Sequence, residues 1–149
     1  MMRNLGKLFL TLCLLTVGGG VVANAQIDSI TTVQANVPFA FAVGNTTLPA
    51  GKYEIKMLDD NEPNVLEIIS AKGHPRVIFE TENAAKRDDQ AARKSELVFD
   101  KVGDQYFLVQ VWVDVTRSGV QLPMSRMEKR LTDGGKQSER HSIAALLKR

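Results

Sequence analysis

Between Thr31 and Val115 the apolar residues recur at every second position, and this alternation constrains the fold more than any other feature of the chain. Successive side chains of a β-strand point to opposite faces, so a period of two buries one face and wets the other. Val33, Ala35, Val37, Phe39, Phe41 and Val43 share one parity and predict a long strand over Thr31–Val43. Pro38 interrupts it without an N–H to donate, which requires an edge position, a bulge or a split. Gly44-Asn45 and Leu48-Pro49-Ala50-Gly51 read as turns. Beyond them, Tyr53, Ile55 and Met57 alternate with Lys52, Glu54 and Lys56, the pattern of a half-buried strand. Val65–Ser70 and Arg76–Glu82 follow across short connections and extend it into an antiparallel meander.

The clearest strands are Glu96–Lys101 and Gln105–Val115, joined at Val102-Gly103-Asp104. Parity places Phe107, Val109, Val111, Val113 and Val115 on one face of the second, and Tyr106, Leu108, Gln110, Trp112 and Asp114 on the other. A long strand that is apolar on one side and partly aromatic on the other suits a strongly curved sheet. Val120–Leu122 adds a short strand after Gly119. Ser125-Arg126-Met127-Glu128 matches a capping box that opens a helix, and Gly134-Gly135 ends it. In the last residues Ile143, Leu146 and Leu147 fall on one side of a weak amphipathic helix. The expected fold is all-β: a small antiparallel barrel or sandwich of six to eight strands with a short C-terminal helix, occupying residues 26–131 and followed by a flexible basic tail over 132–149.

The first 25 residues read differently. Arg3 and Lys7 precede the apolar run Leu8–Val17, three glycines follow, and Ala23-Asn24-Ala25 carries small residues where a signal peptidase needs them. This predicts a signal peptide cleaved after Ala25, and a mature chain that is periplasmic or extracellular. The uncharged stretch Leu8–Ala25 contains three glycines and falls short of the roughly 20 mostly apolar residues of a spanning helix. The mature chain is therefore not expected to be an integral membrane protein. Leu12 before Cys13 is too large for a lipoprotein signal. Cleavage removes the one cysteine and two basic residues, leaving 17 basic against 17 acidic. No disulfide framework is possible in such a chain, so a packed core must stabilise it. The balance of charge and the export exclude a nucleic-acid binder.

Several segments together resemble a family of small exported bacterial β-proteins. The similarity rests on Val37-Pro38-Phe39-Ala40-Phe41 with Val43-Gly44, and on Leu48-Pro49-Ala50-Gly51 with Tyr53 and Ile55. It continues in Leu97-Val98-Phe99, Gly103–Leu108 and Trp112, and in Leu122-Pro123 with Ser125, Arg126 and Glu128. It covers about Val33 to Leu131. The resemblance implies export and a β fold, and it implies no catalytic residue, because the family has no established activity.

The residues offer little for catalysis. The mature chain has no cysteine and no Gly-x-Ser-x-Gly elbow, and its two histidines are His74, in a Gly-His-Pro turn, and His141, in the expected tail. No metal-ligand spacing occurs, no phosphate-binding glycine loop follows the signal segment, and no cofactor is expected. Asp59-Asp60-Asn61-Glu62 lacks the alternation of a calcium loop and reads as a turn. A carboxylate pair of hydrolytic type has no specific candidates in the sequence. The polar stretch Asn83–Lys94 is the longest irregular segment. Three functions remain: a non-catalytic binding or envelope-associated domain, a barrel carrying a small apolar ligand, and a carboxylate-dependent hydrolase. If a ligand binds, the expected contacts are Tyr106, Leu108 and Trp112, on a semi-apolar face that the helix, a partner protein, an envelope component or a small apolar molecule must cover.

Overall fold

A computed structural model describes residues 32–59, 61–83, 94–113 and 118–148. The expected signal peptide and most of the Asn83–Lys94 segment lie outside the described residues. Within them the chain forms eleven strands and one helix. In order these are β1 (Thr32–Val37), β2 (Phe41–Val43), β3 (Thr46–Leu48), β4 (Gly51–Met57), β5 (Val65–Ser70), β6 (Arg76–Glu80), β7 (Glu82–Asn83), β8 (Glu96–Val102), β9 (Gln105–Val113), β10 (Ser118–Gln121), the helix α1 (Arg126–Asp133) and β11 (Ser138–Lys148). Eight of the strands have four residues or more.

The sheet runs β3-β2-β9-β8-β11-β1-β4-β5-β6, with β10 against both β9 and β7. β6 passes through Thr81 directly into β7, so the sheet returns on itself as a nearly closed barrel. Thr81 fixes that passage, donating from both its backbone N–H (2.8 Å) and its hydroxyl (3.0 Å) to the carbonyl of Asn64. Pro38 splits the first long strand, and the chain resumes as β2, which lies parallel to the start of β9. The Leu48-Pro49-Ala50-Gly51 turn is pinned from within, because the Tyr53 hydroxyl donates to the Pro49 carbonyl at 2.6 Å. Gly103 turns the β8–β9 hairpin at φ +65°, a conformation that favours glycine.

The main core fills the inside of the barrel. Val33, Val37, Phe41, Tyr53, Ile55, Ile68, Leu97 and Phe99 are all buried there. Phe41 meets Tyr53 edge to face at 5.2 Å and Phe99 at 5.3 Å, an arrangement that adds to what burial alone contributes. A second cluster lies outside the sheet: Val98, Val102, Phe107, Val109 and Trp112, covered by Ala42 and by Leu131 of α1. The helix thus supplies part of the cover that the semi-apolar sequence of β9 requires. Its capping box is complete, with the Glu128 N–H donating to the Ser125 hydroxyl (3.1 Å) and the Ser125 N–H to the Glu128 carboxylate (3.3 Å).

Two expectations need correction. Residues 138–148 do not form an amphipathic helix in a tail outside the β domain; they are β11, paired antiparallel with β8 on one side and β1 on the other. The helix is therefore not the last element, and the β domain runs on to Lys148. The open edges of β8 and β1 each satisfy a row of backbone groups by admitting this strand, which outweighs the local helical spacing. The parity of β9 is also not constant. Val98 opposes Gln110 whereas Phe99 opposes Leu108, so Val109 is an extra residue, a β-bulge. Before it, Tyr106 and Leu108 face the interior; after it, Val111 and Val113 do.

Candidate functional site

The bulge decides where the three expected ligand contacts sit. Leu108 is buried in the main core, and Tyr106 is packed at the edge of that core. Trp112 belongs to the cluster on the opposite side of the sheet. Its indole lies flat against Gly119 of the neighbouring β10, and its Nε1–H donates to Gln110 at 3.0 Å. The structure brings Tyr106 and Leu108 together and separates Trp112 from both.

Tyr106 marks the place where aromatic and charged side chains converge, at the end of the barrel near the β8–β9 turn. Phe39, in the break between β1 and β2, stacks on it with centroids 3.8 Å apart and planes 14° from parallel. Phe39 also meets Phe99 edge on at 5.2 Å. The ammonium of Lys101, directly opposite in the hairpin, stands 5.6 Å from the Tyr106 ring centroid, within cation–π range. The His141 ring meets that of Tyr106 in a T-shaped contact, with centroids 5.5 Å apart. It comes from β11, opposite Phe99, and its Nε2 lies 3.5 Å from the Glu139 carboxylate. Sequence reasoning missed His141 and Glu139 because it placed them in a tail. Beside this rim is a hollow of about 600 Å³ lined by Lys101, Gly103, Lys136, Gln137, Ser138 and Glu139. Lys136 lies across Gly103, where an added Cβ would come within 3.0 Å of its Nζ.

The rim gathers charged and polar groups. Two ammonium groups, a serine and a carboxylate border the hollow, and ammonium groups form their strongest hydrogen bonds with anionic acceptors. Neither His74 nor His141 hydrogen-bonds a hydroxyl among the described residues. Among those residues no three His, Cys, Asp or Glu side chains come together as a metal requires. Four acids elsewhere have defined surroundings. The Asp59 carboxylate accepts from the backbone and side-chain N–H groups of Asn61 (2.9 and 3.0 Å) and closes its own turn. Glu67, buried on the outer face of β5, is paired with Lys56 (3.3 Å) and with Arg76. Glu54 accepts from Lys148 (3.1 Å) and Gln34 (2.6 Å), and these hydrogen bonds hold its carboxyl below the ordinary range. Burial raises the Glu128 carboxyl, against the opposing hydrogen bond from Ser125.

No helix among the described residues is long and apolar enough to cross a membrane. Comparison of the chain with protein-family models, curated proteins and solved structures found no match.

Proposed function

We propose that this chain is an exported, non-catalytic binding module of the cell envelope, and that it engages an anionic envelope component at the Lys101–Tyr106–Lys136 rim. The observation that carries this reading is the packing of the barrel interior. Phe41 meets both Tyr53 and Phe99 there, whereas Lys101, Lys136 and Glu139 border a hollow at the rim. A barrel that holds a small apolar ligand leaves space among such side chains, and a hydrolase holds two carboxylates facing each other across a cleft. The n-region, apolar run and Ala-Asn-Ala of residues 1–25 support the export part of this reading.

The test has two parts. Native mass spectrometry of protein taken from the exported fraction is expected to give a chain starting at Gln26 with no retained small molecule. An apolar adduct would instead support the carrier, and an uncleaved chain confined to the cytoplasm would end the export reading. Sedimentation with purified cell envelopes is then expected to retain the protein at low salt and release it at high salt. The double variant K101E/K136E is expected to stay in solution at both. Equal retention of that variant would refute the assignment of the rim.

A further inference from the structure

β6 reads Arg-Val-Ile-Phe-Glu, and its alternation is plain. Val77 and Phe79 pack against the core, whereas Arg76, Ile78 and Glu80 point outward, with Ile78 half exposed at 51%. Along one side β6 pairs with β5 over its full length. Along the other side it has no strand partner among the described residues. At its Glu80 end it borders a hollow of about 320 Å³ whose other walls include Gly44, Asn45, Leu122 and Met124. An unpaired strand edge presents a row of N–H and C=O groups that another strand can satisfy. Arg76–Glu80 contains no proline, no bulge and no inward charge that would discourage this.

The outward residues also have a symmetry. Arg76 lies two positions before Ile78 and Glu80 two positions after it, with opposite charges. We infer that β6 is a self-association edge, at which two copies of this chain pair antiparallel about Ile78. In that register Ile78 faces Ile78 of the second copy, and each Arg76 faces the other copy's Glu80. Residues directly opposite in an antiparallel pair stand close enough for both contacts. A two-fold axis is satisfied automatically, because each residue meets its own counterpart's complement. A parallel arrangement would set Arg76 beside Arg76 and Glu80 beside Glu80. Arg76 already pairs with the buried Glu67, so the second copy's Glu80 would extend an existing ion pair.

Sedimentation velocity over a range of protein concentrations tests this. The wild-type chain is expected to pass from monomer to dimer as concentration rises, and hydrogen exchange of Arg76–Glu80 is expected to slow in step. The variant E80R opposes like charges at both ends of the pair, and I78K places two ammonium groups at its centre. Both are expected to remain monomeric where the wild type is dimeric, with unchanged far-UV circular dichroism. An equimolar mixture of I78K and I78E is expected to regain a dimer that neither forms alone. A wild-type chain that stays monomeric throughout would overturn the inference. So would a dimer that leaves β6 exchange unprotected; this last reading needs no variant to fold.

Discussion

Replacing Gly119 with alanine should destabilise the protein through one contact. A Cβ at that position would lie 2.6 Å from the Cδ2 and Cε3 atoms of Trp112 and 2.8 Å from Cε2. Carbon atoms pack at about 3.5–4.0 Å, so the ring or the β10 backbone must retreat by about 1 Å. The ring has little room to do so. It is 6% exposed and belongs to the cluster of Val98, Val102, Phe107 and Val109 under Leu131, and its Nε1–H is committed to Gln110. Overpacking of this kind costs about 1–3 kcal/mol. For a domain of this size, that corresponds to a fall in Tm of about 4 °C per kcal/mol. Urea unfolding of G119A, W112L and the double variant separates the contact from other effects. W112L removes the ring that the new methyl meets, so alanine at 119 should cost much less in that background. The coupling between the two positions should amount to most of the single-variant penalty. A G119A protein as stable as the wild type, or strictly additive losses in the double variant, would refute the packing of Trp112 on Gly119.

Three further outcomes follow from contacts elsewhere. Y53F, which removes the hydroxyl that donates to Pro49, should cost about 1 kcal/mol in urea unfolding, and a neutral result would mean the turn is held by other means. S125A should cost about 1 kcal/mol through loss of the helix cap, measured in the same way, and unchanged stability would remove the cap from the account. E128Q tests the raised carboxyl. The folded chain holds that proton more readily than the unfolded one, so the contribution of Glu128 grows as pH falls through its raised folded value and is complete below the unfolded value near 4.5. The stability of wild type minus E128Q should therefore be larger at about pH 4 than at about pH 7, as measured by urea unfolding at both. Glu54, shifted the opposite way, is common to both proteins and cancels; a difference that shrinks toward pH 4 would contradict the burial of Glu128.

The local elements of this fold were legible because each is specified by neighbours in sequence. Alternation located β4, β5 and β6, a glycine turn joined β8 to β9, and Ser125 with Glu128 marked the start of the helix. Two features were not legible, for different physical reasons. Apart from Gln110, Phe107–Val113 is apolar on both parities, so the bulge at Val109 exchanges one set of buriable side chains for another and leaves little mark on the pattern. That exchange separates Trp112 from Tyr106 and Leu108 and dissolves the face on which the ligand contacts were placed. In Ser138–Lys148, by contrast, Ile143, Leu146 and Leu147 have helical spacing, and Ala144-Ala145 favours a helix. In the strand Ile143 and Leu147 do pack inward, but Leu146 is 75% exposed, a position no helical reading would assign it. The deciding term is the pair of unfilled edges on β1 and β8, which no window of sequence contains. His141 was lost with it, since its place beside Tyr106 exists only once β11 lies against β8.

The placement of β11 also constrains how the barrel can form. β11 comes last among the described strands and sits between β8 and β1, the first of them, with Lys148 opposite Thr32. Until residues 138–148 are available, β1 has only β4 as a neighbour and β8 only β9. Contacts between such distant segments carry a loop-closure cost and form slowly. The two strands would each present an open edge in the meantime. Closure therefore waits for the final strand, and the partly made chain has no way to complete its core early. A chain that is to be threaded through a membrane before folding benefits from that delay, so the topology is compatible with the proposed export. The same reasoning makes β11 indispensable. A chain ending at Gln137 should lose the cooperative urea transition of the full-length protein, and a truncated chain that still unfolds cooperatively with native strand content would show that the barrel does not depend on its last strand.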